Sequence, residues 1–120
     1  MRIAFTTSGE NLEAPLDSRF GRAPKILVYD LDARTFEVID NTQNLNAPQG
    51  AGIQAAQNVA GTGAKNLVTG HCGPKAFKVL QAAGIAVYTT NSATVSEALE
   101  QFRSGSLTPA QSADVEGHWT

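Results

Sequence analysis

The stretch Asn66-Leu67-Val68-Thr69-Gly70-His71-Cys72-Gly73-Pro74 decides the fold, together with Phe77, Leu80 and Ala83 at helical spacing, Gly84, and then Ile85-Ala86-Val87-Tyr88-Thr89. A short β-forming run leads through glycines into a helix with proline in its first turn. A glycine stops that helix and a second β-rich run begins. A helical crossover returns the chain to the same end of a sheet, so the two runs are expected to lie parallel in an α/β unit.

Working outward, the next helix carries the strongest local signals. Thr94 and Glu97 have capping-box spacing, and Val95, Ala98, Leu99 and Phe102 recur on one helical face until Gly105. Upstream, a helix is expected near Ala51 to Ala60, stopped by Gly61. Lys25-Ile26-Leu27-Val28-Tyr29 and Thr35-Phe36-Glu37-Val38-Ile39 are β-rich runs whose separation suits an antiparallel hairpin. Arg2 to Thr7 reads as a first strand that ends in Ser8-Gly9 and a long polar loop, and Asn41 to Gln49 as a second loop rich in Asn and Pro. The order β-β-β-α-β-α-β-α predicts a mixed sheet of about five strands, hairpin plus parallel strands, with about three helices. Residues 1–105 are expected to form a single domain. The polar stretch 106–120 is expected to be a flexible tail, in which Trp119 could dock locally.

Composition narrows the function classes. The chain has 120 residues, 42% hydrophobic and 17% charged, which suits one globular core. Its formal charge of −2 provides no global attraction to polyanions, and no local basic patch compensates, so nucleic acid is not an expected partner. Met1 to Thr6 turns polar too soon for a secretory signal, and no apolar run is long enough for a membrane helix, which predicts a cytoplasmic protein without membrane attachment. The single cysteine, Cys72, forms no intramolecular disulfide and suits a reducing compartment.

Ligands of open α/β sheets bind at the carboxyl ends of the parallel strands. Three loops should meet there: Thr6-Thr7-Ser8-Gly9, Thr69 to Pro74, and Thr89-Thr90-Asn91-Ser92. In the middle loop, glycines permit close backbone approach and a helix start favours an anion. Cys72 has two readings, a thiolate available to a soft metal or a small apolar space-filler. His71 is likewise either a ligand or a capping, solvent-facing side chain. One Cys and one His cannot close a four-ligand zinc site, so a metal here needs exogenous ligands such as sulfide, or another subunit. In Ser18-Arg19-Phe20-Gly21-Arg22, two guanidinium groups suit a multivalent anion and Phe20 could shield it, unless this is a solvated turn with Phe20 in the core. Walker A loops, nucleophile elbows and Cys-x-x-Cys pairs are missing from the sequence, and no catalytic constellation is assigned.

Met1-Arg2-Ile3-Ala4-Phe5, Arg19-Phe20-Gly21-Arg22-Ala23, Gly70-His71-Cys72-Gly73-Pro74-Lys75-Ala76-Phe77, Ala83-Gly84-Ile85-Ala86-Val87-Tyr88 and Thr94-Val95-Ser96-Glu97-Ala98-Leu99 together resemble the dinitrogenase iron-molybdenum cofactor-binding family, over roughly residues 1–105. The resemblance implies a ribonuclease H-like α/β fold and a non-enzymatic role. That role is to bind, carry or protect a metal-sulfur cluster or its thiometallate precursor, of molybdenum-copper sulfide or iron-molybdenum cofactor type, held largely non-covalently. Cofactor-assembly proteins are implied partners. The candidate cofactor-binding residues are Ser8, Arg19, Phe20, Gly21, Arg22, Gly70, His71, Cys72, Gly73 and Asn91, with Cys72 and His71 as candidate metal ligands. Many family members carry a histidine-rich run in the second long loop. Asn41 to Gln49 has no histidine, so the resemblance does not extend metal delivery to that loop. Nucleases of the implied fold need a carboxylate on the first strand, and Arg2 to Thr7 has none, which excludes that activity. The alternative within the same fold is a regulatory or scaffold protein that acts through protein partners without metal.

Overall fold

The computed structural model describes residues 1–41 and 51–110. Most of the second loop, with the tail beyond Ala110 and Trp119 in it, lies outside the described residues. The elements follow the expected order: β1 (Arg2–Thr7), β2 (Lys25–Asp30), β3 (Thr35–Asp40), α1 (Ala51–Gly61), β4 (Asn66–Thr69), α2 (Pro74–Ala82), β5 (Ala86–Thr89) and α3 (Val95–Arg103). They build one five-stranded mixed sheet in the order β3-β2-β1-β4-β5. β1 pairs antiparallel with β2 and parallel with β4, β2 pairs antiparallel with β3, and β4 parallel with β5. The carboxyl ends of β1, β4 and β5 therefore share one edge of the sheet.

Central position explains the sequence of β1. Ile3 through Thr7 are all buried, because helices or loops cover both faces, and the alternation expected of a one-sided strand is faint. On one face Ala4, Ile26, Val28, Leu67 and Val87 pack against Ala55, Ala56 and Val59 of α1 and Ala76, Phe77 and Leu80 of α2. On the other, Ile3, Phe5, Leu27, Tyr29 and Val68 meet Val95, Ala98 and Leu99 of α3. Truncating one fully buried side chain of this kind, such as Phe5, costs roughly 3–5 kcal/mol.

Local chemistry sets the helix ends. Thr94 caps α3 by accepting the Glu97 N–H at 3.1 Å. α2 starts at Pro74 behind a Gly73 cap that has no side-chain acceptor, and it ends before Gly84, whose φ of 77° only glycine adopts without strain. Residues 106–110 run back along the sheet, with the Ala110 N–H donating to the Val87 carbonyl at 2.7 Å. Leu107 packs on the α3 side. Among the described residues no helix is long and apolar enough to cross a membrane.

One segment differs from its expectation. The long polar loop after β1 is a built strap with a 3-10 turn at Phe20–Arg22 and isolated strand bridges Thr7 to Leu16, Pro15 to Thr94 and Arg19 to His71. Its anchors are apolar and widely spaced, with Leu12 and Leu16 half-buried and Ala14 and Phe20 buried. Such anchors have no fixed period, so a periodicity reading passes over them.

Candidate functional site

The strap crosses the shared edge of the sheet and hydrogen-bonds to the first two loops there and to Ala93, directly after the third. Asp17 donates its N–H to the Thr6 carbonyl at 2.8 Å, Leu16 to Ala93 at 3.1 Å and Phe20 to His71 at 3.1 Å. Side chains tie the same places from beneath. The Thr6 hydroxyl donates to the Asp17 carbonyl at 2.9 Å and lies 2.8 Å from the buried Thr69 hydroxyl, while the Thr7 hydroxyl donates to the Pro15 carbonyl at 2.7 Å. With both Thr6 and Thr69 fully buried, these bonds satisfy hydroxyls that would otherwise cost about 1–3 kcal/mol each.

Between the strap and the loops lies an open cleft of about 360 Å³, lined by Ser18, Gly70, His71, Thr89, Thr90 and Asn91. That volume falls in the range of roughly 300–1,000 Å³ typical of small-ligand sites. Gly70 is where strap and loop touch. A Cβ built on it would stand 2.5 Å from Ser18 Cα and 2.7 Å from the Ser18 carbonyl oxygen, so the contact requires glycine for space. A smaller hollow of about 120 Å³, lined by Arg2, Val28, Asp30, Thr35, Phe36 and Glu37, lies at the opposite end of the sheet. It carries two carboxylates and receives none of the three loops.

The cleft gathers only part of the expected set. Gly70, His71 and Asn91 line it, and Arg19 is held beside it by its bridge to His71. The Arg19 side chain is exposed, and none of the ion pairs found among the described residues involves it. Ser8 is exposed just past β1, and Arg22, half-buried, is the last residue of the 3-10 turn; neither lines the cleft. Gly21 and Gly73 are buried. Phe20 and Cys72, 2% and 1% exposed, belong to the same core cluster as Ala76 and Phe77. The Cys72 Sγ lies 3.7 Å from the Gly73 carbonyl oxygen.

Ser18, Thr89 and Thr90 also line the cleft; they lie in stretches expected at the site but are not among the named candidate residues. Sequence reading missed Gln101, whose Oε1 accepts from the Thr90 hydroxyl at 2.7 Å and the Ser92 hydroxyl at 2.9 Å. The run Thr89-Thr90-Asn91-Ser92 carried a signal, three hydroxyl-bearing residues at a strand's carboxyl end. The glutamine carried none, being an ordinary polar residue on a helix. Among the described residues no group of three or more His, Cys, Asp or Glu side chains is placed to hold a bare metal ion.

The fold as a whole is shared with known proteins. The chain belongs to the dinitrogenase iron-molybdenum cofactor family, whose model matches residues 1–105, and is thereby a cofactor-related protein. Among solved structures it is similar to the apo form of the orange protein from Desulfovibrio gigas, at 42% identity and a TM-score of 0.92 over 95% of this chain and 96% of that one. A putative NifB protein from Thermotoga is 32% identical, with a TM-score of 0.79 over 90% and 91% of the two chains. An uncharacterised protein of Methanocaldococcus jannaschii is 30% identical over 89% of each chain.

Proposed function

We propose that the cleft binds a preformed metal-sulfur cluster or its thiometallate precursor as cargo, of molybdenum-copper sulfide or iron-molybdenum type, and that the protein carries or protects it in the cytoplasm without turning over an organic substrate. The observation that carries this reading is the position of Cys72. The chain's only thiol is in the core, at 1% exposure, while the cleft wall is made of backbone, hydroxyl, amide and imidazole groups with Arg19 beside it. Such a wall has no thiolate with which to assemble a soft metal centre, but it suits an anion that brings its own sulfide shell. The wall then contributes charge, hydrogen bonds and shape, and cofactor-assembly proteins are the partners that deliver or receive the cargo.

Metal-free protein mixed with tetrathiomolybdate and copper(I) tests the proposal. Sulfide-to-metal charge-transfer bands should co-elute with the protein in gel filtration, and the same bands should accompany protein purified from its natural host. Failure to take up the chromophore in reconstitution, together with colourless protein from cells supplied with molybdenum and copper, overturns it in favour of a metal-free regulatory or scaffold role.

A further inference from the structure

Among the described residues that line the cleft, Thr90 is bonded through its hydroxyl to a side chain of α3. Its Oγ1 lies 2.7 Å from Gln101 Oε1 and 3.0 Å from Ser92 Oγ, and Ser92 Oγ lies 2.9 Å from the same Gln101 Oε1. Three polar oxygens thus form a closed triangle that holds two hydroxyl protons. Both hydroxyls can donate to Gln101, or Thr90 can donate to Ser92 and Ser92 to Gln101, or Ser92 to Thr90 and Thr90 to Gln101. In each arrangement both protons stay inside the triangle. With the Gln101 amide oxygen facing both hydroxyls, each of these arrangements keeps the Thr90 proton inside the triangle, so Thr90, which lines the cleft, has only lone pairs to offer beyond it.

From this geometry we infer that Gln101 is a specificity-determining residue, which sequesters the Thr90 proton so that the cleft disfavours hard oxoanions relative to thioanions of the same shape and charge. An oxoanion such as molybdate concentrates its charge on oxygens that need strong donors in place of lost water, and a lone-pair wall withholds one. Sulfide surfaces are larger, softer and weaker acceptors, so the same wall penalises them less. The inference deepens the proposed function and rests on it. Gln101 is itself half-buried on α3 and is not among the cleft-lining residues. It acts through Thr90.

The test compares molybdate with tetrathiomolybdate, both tetrahedral dianions, by calorimetric titration at fixed ionic strength against wild-type, Gln101→Leu and Gln101→Met protein. Freeing the Thr90 proton should tighten molybdate binding by about tenfold, the worth of one hydrogen bond to a charged acceptor, while tetrathiomolybdate changes far less. A merely structural glutamine would weaken both anions together and leave their ratio where it was. Circular dichroism checks that each variant is folded, and the methionine form serves if the leucine form is not. In the double variant Thr90→Val/Gln101→Leu the gain for molybdate should vanish, because the liberated proton is gone. An unchanged ratio in the single variants, or a gain that survives in the double variant, overturns the inference alone. A wild-type protein that binds no tetrathiomolybdate overturns the proposed function and this inference with it.

Discussion

Replacing Gly70 by Ala tests the strap directly, because strap and loop meet there with no room for a side chain. The new Cβ would stand 2.5 Å from Ser18 Cα, 2.7 Å from its carbonyl oxygen and 2.9 Å from its carbonyl carbon, against the 3.4 Å at which ordinary contact begins. All three are backbone atoms, so no side chain can rotate away and the strap must move by about 1 Å. Overpacking of this kind costs about 1–3 kcal/mol, and the lower chain entropy of unfolded alanine returns about 0.4–1 kcal/mol. A net loss of about 1–2 kcal/mol lowers a urea midpoint by about 1 M for an m-value near 1.5 kcal/mol/M. Gly61→Ala is the internal control, since a Cβ there meets nothing within 4 Å at the end of α1 and should raise the midpoint slightly. Ser18 and Phe20 amide resonances should shift in the Gly70 variant alone. If Gly70→Ala unfolds at the wild-type midpoint with those resonances unmoved, the strap is not seated as described.

The remaining predictions concern charge, metal and the cysteine. Metal-free protein should show folded circular dichroism, because both core clusters close without a ligand; an unfolded spectrum refutes this. Arg19→Gln with Arg22→Gln should weaken tetrathiomolybdate binding and reduce its salt dependence without unfolding the chain, and unchanged affinity removes the strap from the anion site. Cys72→Ser should lose about 1–3 kcal/mol by placing a hydroxyl in the core yet still bind the chromophore, so complete loss of binding in a folded variant makes Cys72 a direct ligand. At the hairpin turn, the Ala33 N–H, with that of Asp32, holds the Asp30 carboxyl below its ordinary 3.8. A depressed folded value means that its stabilising contribution is complete above pH 3.8 and is lost as pH falls through the lower value. Asp30→Asn should therefore flatten the acid limb of the stability profile, and an unaltered limb refutes the assignment.

The fold was legible where periodicity or capping speaks. Thr94 with Val95, Ala98 and Leu99 marked α3, Pro74 and Gly84 bracketed α2, and the hairpin boundaries lie within one residue of their expected positions. Those signals are local, and local hydrogen bonds and burial produced them. The strap was illegible for the opposite reason. Leu16 and Asp17 find their partners in Ala93 and Thr6, and the only sequence trace of Gly70 against Ser18 is one glycine among several in its loop. The site divided along the same line. The sheet rule located Gly70, His71 and Asn91 through their strand ends, whereas the orientation of Cys72 depends on tertiary packing that its neighbours do not encode.

The strap also changes where charge compensation for the proposed cargo has to come from. A helix start normally presents its first free N–H groups to an anion, but α2 begins at Pro74, which has none, and the Phe77 N–H is already bonded to the Gly73 carbonyl at 2.9 Å. Only the Lys75 and Ala76 amides remain, so the helix terminus contributes less than the glycine-rich loop suggested. The cation that the strap holds beside this open cleft is the exposed Arg19, which at its rim is the first source of opposing charge for the proposed cargo. Interactions at such a rim are screened by salt and exchange readily. That suits cargo picked up and handed on, and it suits a permanently resident cofactor poorly.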